Sequence, residues 1–299
     1  PSPLMQGGGA LRSFALLGAI LAVNASAQIP DVKIKLDLRV MYRSVRGEDS
    51  ATKFYDWQGK HSLAMLEFRL EPGYRAFFSE RFQKIVGDAD DEQLDEYYIE
   101  DPGLWRVGKQ VVPFGLGRLM SDKVRGARGD TNILIGSLPF AGALFDNGTN
   151  RARGAVLRVG TRVGVSAAIG NNLGAQGSSL TPIRQPEDGP GPGRGHQFAL
   201  GAHVKKSWPN GTIEIEGLAL RRGETAGDPD ADVTDILLTL RSDPGKTLGL
   251  GWARDWRTSS NFMRLVGRFQ VHKNGALEPM VRLRNGAIYD AAVTMNVKF

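Results

Sequence analysis

The segment Tyr289-Asp-Ala-Ala-Val-Thr-Met-Asn-Val-Lys-Phe299 alternates with a period of two: Tyr289, Ala291, Val293, Met295, Val297 and Phe299 fall on one face, and Asp290, Thr294, Asn296 and Lys298 on the other. Residues two apart share a face in an extended strand. An apolar face ending in an aromatic, backed by a polar face, suits a barrel strand with lipid on one side and water on the other. A soluble sandwich strand alternates in the same way, so the reading stands only if the rest of the chain repeats the pattern.

It does. In Val32-Lys-Ile-Lys-Leu-Asp-Leu-Arg-Val-Met-Tyr-Arg43 the even positions Ile34, Leu36, Leu38, Val40 and Tyr42 are apolar, while Lys33, Lys35, Asp37, Arg39 and Arg43 carry charge on the other face. A globular core strand rarely presents so many charges on one face. Similar stretches recur near 61–71, 73–84, 93–101, 103–112, 151–160, 162–171, 195–207, 211–221, 232–241, 246–257, 261–272, 277–285 and 288–299. The fold class expected is all-β, a transmembrane antiparallel β-barrel of about fourteen strands, with twelve or sixteen within the counting error.

The connections agree. Every second one is tight: Glu71-Pro-Gly73, Asp101-Pro-Gly103, Gly160-Thr161, Trp208-Pro-Asn-Gly211, Asp243-Pro-Gly245 and Lys273-Asn-Gly275. Pro presets the first turn angle and Gly or Asn supplies positive φ. The intervening connections are mostly longer and polar: Gly47 to Lys60, Gly87 to Gln93, Pro113 to Asn150, Asn172 to Gly195 and Gly223 to Ala231; those near Ser259 and Ile288 are short. Outer-membrane barrels have this rhythm, with short turns at the periplasmic rim. Aromatics form two belts in the same frame, Tyr74, Trp105, Trp208 and Phe299 at the tight-turn rim and Tyr42, Phe82, Trp256, Phe262 and Tyr289 at the other.

Leu11-Arg-Ser-Phe-Ala-Leu-Leu-Gly-Ala-Ile-Leu-Ala-Val-Asn-Ala-Ser-Ala27 places a cation before a short apolar run and an Ala-x-Ala end. Residues 1–27 are expected to be a cleaved secretory signal, those before Met5 being over-extended translation, and 28–299 the outer-membrane barrel. No later segment has the ~20 apolar residues of a membrane helix, so a membrane location requires a closed barrel. The chain has 0 Cys, which excludes disulfide scaffolds and thiolate metal sites.

Pro113 to Asn150 is the third and longest outer connection. A structureless loop of that length calls for a function or a recount. Either it folds into the lumen and narrows it, or it hides another hairpin and the barrel has about sixteen strands. Gly136, Pro139 and Gly142 interrupt a clean strand and favour infolding. The constriction loop would then carry Pro113, Phe114, Gly115, Arg118, Lys123, Arg125 and Arg128.

The stretch Leu94-Asp-Glu-Tyr-Tyr-Ile-Glu-Asp-Pro-Gly-Leu-Trp-Arg-Val-Gly-Lys-Gln-Val-Val-Pro-Phe-Gly115 resembles Gram-negative outer-membrane porins, the phosphate-selective porin family in particular. There a strand of "DEAY" type precedes a "VGKQ..PFG" strand leading into the constriction loop. The matching residues are Asp95, Glu96, Tyr98, Val107, Gly108, Lys109, Gln110, Pro113, Phe114 and Gly115. The match is strong over about twenty residues, and elsewhere only the barrel pattern is shared. The chain is markedly shorter than that family and shows no dense Arg/Lys ladder. The resemblance implies a porin and does not extend to phosphate specificity.

By strand parity the cations expected to line the pore are Lys33, Lys35, Arg39, Arg43, Arg69, Arg75, Arg106, Arg158, Arg264, Arg268, Arg282 and Lys298, joined by Arg81, Lys205, Arg241 and Arg284. Inward acids are fewer: Asp37, Glu67, Glu96, Glu100, Glu214, Glu216, Asp235 and Asp290. Such an excess concentrates anions in a narrow pore. Cross-strand pairing, as among Lys35, Asp37 and Arg39, is the competing use of the same charges.

The expected activity is passive diffusion of small hydrophilic solutes, favouring anions; the alternative is a non-conducting structural or adhesion barrel, against which small inward positions such as Gly249, Gly251 and Ala253 count. The net charge of +6 does not point to nucleic acid, since no nucleic-acid motif accompanies it. Lys53, Lys60, Arg125 and Arg128 suit lipopolysaccharide phosphates instead. The partners expected are outer-membrane lipid, lipopolysaccharide and small anionic or hydrophilic solutes, with monomer and homotrimer both open. No cofactor or metal is expected: His61, His196, His203 and His272 are scattered, Asp88–Glu92 and Asp228–Asp232 miss calcium-loop spacing, and Gly189–Gly195 lacks a phosphate-loop context. His61-Ser62, the nearest nucleophile pair, faces opposite ways on a strand, and no enzyme activity is expected.

Overall fold

The computed structural model describes residues 31–45, 50–54, 61–70, 73–82, 94–121, 123–135, 138–146, 153–171, 173, 196–221, 230–243 and 245–299. The expected signal segment, Lys60 and most of the expected long connections lie outside these residues. Every regular element described is a strand: β1 (Val32–Val45), β2 (Ala51–Lys53), β3 (Leu63–Leu70), β4 (Tyr74–Arg81), β5 (Leu94–Asp101), β6 (Trp105–Val111), β7 (Lys123–Ile135), β8 (Leu138–Asp146), β9 (Arg153–Val159), β10 (Val163–Asn171), β11 (Gln197–Trp208), β12 (Gly211–Arg221), β13 (Ala231–Asp243), β14 (Lys246–Asp255), β15 (Ser260–His272), β16 (Gly275–Arg284) and β17 (Ala287–Lys298).

All pair antiparallel in one sheet that closes where β17 meets β1, with Asp37 opposite Lys298 and Val45 opposite Asp290. Leu36 and Phe299 exchange both backbone bonds at 3.0 Å at the end of this seam. Closure satisfies every edge, as lipid demands. The barrel has sixteen strands plus one extra short strand, because β2 and β3 share one place beside β1. Between their two stretches of pairing, Arg39 would lose its ladder partners. The Ser62 hydroxyl replaces them, accepting from Arg39 N and donating to Arg39 O, both at 2.8 Å, while Ser62 N donates to Phe54 O at 2.9 Å. The serine considered as a nucleophile is committed to the backbone.

The expectation of fourteen strands is corrected by the hairpin β7–β8 inside the connection expected as one loop. Its glycines and proline do not break it. Pro139 sits at the start of β8, where its carbonyl still accepts from Gly160 N at 2.8 Å. Gly126 is required by packing, since a Cβ there would lie 2.0 Å from Leu144 O. Gly136 falls in the undescribed connection between the two strands.

Alternation sorts the side chains throughout. Large apolar residues such as Ile34, Tyr42, Leu144, Val165, Ile169 and Met263 are exposed on the outer face, and the charged parity turns inward. Two belt assignments are corrected. Phe262 is buried inside, and a register shift beside Arg282 turns Tyr289 toward it, ring centroids 5.9 Å apart. A two-residue turn at Asn285-Gly286, both at positive φ (49° and 83°), joins β16 to β17, a geometry that matches strand twist.

Replacing Ser62 by Ala leaves Arg39 N and O without a partner, and the barrel is expected to lose about 1–3 kcal/mol, read as a lower urea midpoint for loss of its compact gel mobility.

Candidate functional site: a loop across a charged lumen

β6 and β7 pair as a hairpin up to Val111 and Lys123, and the chain that connects them turns inward. Val112 through Met120 is mostly buried and reaches β12, six strands further around the ring. Three anchors hold it. Gly115 N donates to Ser166 Oγ on β10 at 2.9 Å. Glu216 on β12, fully buried, accepts from Leu116 N at 3.2 Å and Arg118 N at 3.0 Å through Oε2. The Arg118 guanidinium binds Asp235 on β13, Nε to Oδ2 at 2.8 Å, and Glu214 at 3.2 Å. Hydrogen bonds to a charged group contribute about 1.5–3 kcal/mol each, so this tether can outweigh the entropy of ordering a short loop.

Glycine fits the loop to the wall at two points. Gly115 has φ +50°, and a Cβ there would lie 2.3 Å from Glu216 Oε1. Gly201 on β11 lies under the Phe114 ring, where a Cβ would meet Cε1 at 2.6 Å. Phe114, Leu119 and Met120 complete an apolar cluster with Val124, Phe145, Val156, Leu218, Leu220 and Val233. The cluster covers inward positions from β7 round to β15, interleaved with the ion pairs of Lys205, Glu214 and Asp235.

Of the residues expected in the constriction loop, Pro113, Phe114, Gly115 and Arg118 lie in this crossing. Lys123, Arg125 and Arg128 do not, because they belong to β7. Lys123 pairs with Asp95, and Arg128 with Asp130 at 2.7 Å. Lys53 is likewise a strand residue, on β2.

Charged side chains crowd the remaining inward face. Seven acids each bind two cations drawn from different positions. Asp37 takes Arg39 (2.8 Å) and Lys298 (3.5 Å); Glu67 takes Lys35 (3.5 Å) and Arg75 (3.4 Å). Asp95 takes Arg81 (2.7 Å) and Lys123, and Glu100 takes Arg75 and Arg106 (2.7 Å). Glu214 takes Arg118 (3.2 Å) and Lys205 (2.7 Å), Asp235 takes Arg118 and Arg264 (2.6 Å), and Asp290 takes Arg43 (2.6 Å) and Arg282. A carboxylate offers two oxygens and about four lone-pair sites, enough for two guanidinium forks.

The other expected residues sit as follows. Arg268 pairs with Glu278, and Arg69 with Asp31 at 3.4 Å near the tight-turn rim. Lys33 faces inward opposite Glu67 in register. Arg158 meets no carboxylate among the described residues; its Nη1 donates to Gly115 O at 3.3 Å, directly beneath the crossing loop. Sequence reading overlooked Asp95, which a register shift beside Ser79 turns inward, and Glu278. The space expected at Gly251 is filled by Arg264, whose Nε would lie 2.3 Å from a Cβ there.

No protein-family model matches the chain, and no curated protein does. Solved structures do. The chain is similar to OmpT, an outer membrane protein of Vibrio cholerae, in its trimer form (TM-score 0.58, 8% identity, 91% of this chain and 100% of that one). It is similar to the outer membrane channel DcaP of Acinetobacter baumannii (0.58, 12%, 92% and 99%) and to a mutant of Rh. blastica porin (0.54, 12%, 90% and 100%). At these identities the likeness establishes the fold, a porin-like outer-membrane barrel.

Because the chain has no native cysteine, a single Met120→Cys reports on the loop. It is expected to react slowly with a small water-soluble thiosulfonate. Adding Glu216→Ala removes about 1.5 kcal/mol or more of tether and speeds labelling on the order of tenfold; an unchanged rate would mean that the apolar cluster alone holds the loop.

Proposed function

We propose that the chain is an outer-membrane porin through which small hydrophilic solutes diffuse passively, with a preference for anions. The observation that carries this reading is a sixteen-stranded barrel with an ion-lined inner face and, among the described residues, a loop tethered across it. Eight strands enclose little more than their own side chains, whereas sixteen leave an aqueous channel. Ionised groups at this density require water beside them, because charges buried dry cost several kcal/mol each.

Anion preference follows from how the charges combine. The seven doubly paired acids engage twelve cations between them, Arg75 and Arg118 each serving two, so this part of the wall carries net positive charge, and Arg158 adds a cation beside the loop. In a constricted, low-dielectric passage that excess raises the local concentration of anions. Inward guanidinium and ammonium groups then replace part of a passing anion's hydration. The resemblance around Val107–Gln110 and Pro113–Gly115 supports the porin reading and does not bear on the solute.

Single-channel recording of the refolded protein in a planar bilayer under a KCl gradient tests both parts. Stepwise conductance with a chloride-selective reversal potential is expected, and Arg158→Glu shifts the reversal toward potassium. A cation-selective wild type would sink the anion preference. No conductance from a barrel shown folded by its heat-dependent gel mobility would leave a non-conducting structural barrel.

Tether and conductance are linked. Glu216→Ala is expected to raise single-channel conductance and its noise, because the loop then leaves the wall part of the time.

A further inference from the structure

The outer surface of the barrel is not uniformly convex. A groove of about 540 Å³ runs across β9 to β13, from Leu157 and Val159 near the tight-turn rim to Trp256 beyond the far end of β14. Its floor is made of small side chains, Ala167, Ala202, Gly217 and Ala219. Gly217 is not demanded by the backbone. A Cβ there would meet nothing nearer than Ala202 O at 3.9 Å, and its φ is not in the left-handed region. A strand glycine with room for a side chain marks a place where something approaches closely.

Polar groups gather at one end only. Trp256 Nε1 donates to Thr234 Oγ1 at 3.1 Å, and both residues line the groove. Arg254, opposite Thr234 in register, lies over the Trp256 ring at 4.5 Å. Its Nε is buried with no hydrogen-bond partner among the described residues. Asp232 lines the same end, but it is already engaged, accepting from Arg221 at 2.8 Å and Arg257 at 2.7 Å, and Asp230 lies 3.4 Å from Arg257. An arginine on the lipid face costs about 2–4 kcal/mol at the bilayer midplane but about 0–1 near the rim, where Arg254 sits.

We infer that this groove binds an anionic phospholipid, one acyl chain lying along the Ala167–Gly217 floor and the phosphate accepting from Arg254. The inference rests on the membrane-barrel reading but not on conduction. A largely apolar groove with Arg254 beside its rim end, where Asp232 is already neutralised by Arg221 and Arg257, matches a lipid, whose chain is apolar along its length and whose charge sits at one end. A second copy of this chain would have to offer a ridge for the trough and an acid for Arg254.

Native mass spectrometry of the refolded protein, released from micelles containing dioleoyl phosphatidylglycerol or diolein, tests this. Wild type is expected to retain phosphatidylglycerol about tenfold more than diolein, the measure of one charge-assisted bond. Arg254→Gln brings the two to parity, and Gly217→Phe, whose Cβ stands at an ordinary contact distance of 3.9 Å from Ala202 O, fills the floor and abolishes retention of both. Equal retention by wild type and Gly217→Phe overturns the proposal, as do wild-type oligomers that Gly217→Phe dissolves, since a second copy would then occupy the groove. Heat-dependent gel mobility and conductance are read on the same preparations. A wild type that holds lipid without conducting would sink the channel reading and leave this one standing.

Discussion

Closure is the constraint from which the rest follows. A sheet edge left open in hydrocarbon exposes N–H and C=O groups with no partner, each costing several kcal/mol. The seam from Leu36–Phe299 to Val45–Asp290 removes that cost along β17 from Asp290 onward. Once the ring is closed, the period of two is no longer a local preference: a slip of one residue would put Arg39, Arg43 and Asp290 into lipid together. The interruption between β2 and β3 obeys the same rule on a smaller scale, since the Ser62 hydroxyl stands in for the missing strand at Arg39.

A closed ring of this size then has an interior to fill. Eight strands would need only side chains, but here a segment of main chain enters, and it brings its own unpaired N–H groups. Ser166 and Glu216 accept them, and the glycines at 115 and 201 let the loop approach the wall closely enough for those bonds to form. Polar tether and apolar packing lie on the same side, so the loop is pressed against β10 to β13.

The face of nearly every strand was legible from the sequence, because one side of each borders lipid and tolerates almost no charge. The hairpin β7–β8 was not. Gly126, Gly129 and Gly142 serve close strand approach or plain spacing, but in a sequence they carry the same letters as chain breakers. Only the cross-strand fit, which a single sequence does not display, separates the two. Tyr289 and Asp95 escaped for a related reason: each sits at a register shift, and a one-residue bulge reverses parity locally without leaving a mark in the alternation. Arg118 was placed in the loop correctly, but its partners Glu214 and Asp235 lie about a hundred residues away in sequence, and ring geometry alone brings them near.

The pairing of two cations with each acid also bears on how such a passage would work. At an effective dielectric of 20, opposite charges 4 Å apart attract by about 4 kcal/mol, enough to fix long side chains against the wall and keep them from collapsing into the lumen. A lone arginine fork would bind an anion strongly and hold it. Arg282, already giving Nε to Asp290 at 2.6 Å, has fewer donors left to offer, so its grip on a passing anion is weaker while the net field of the pair of cations persists. Conduction needs attraction strong enough to admit an ion and weak enough to release it. In the proposed channel, a wall of half-satisfied cations would supply attraction from many sites at once, with no single site deep enough to trap.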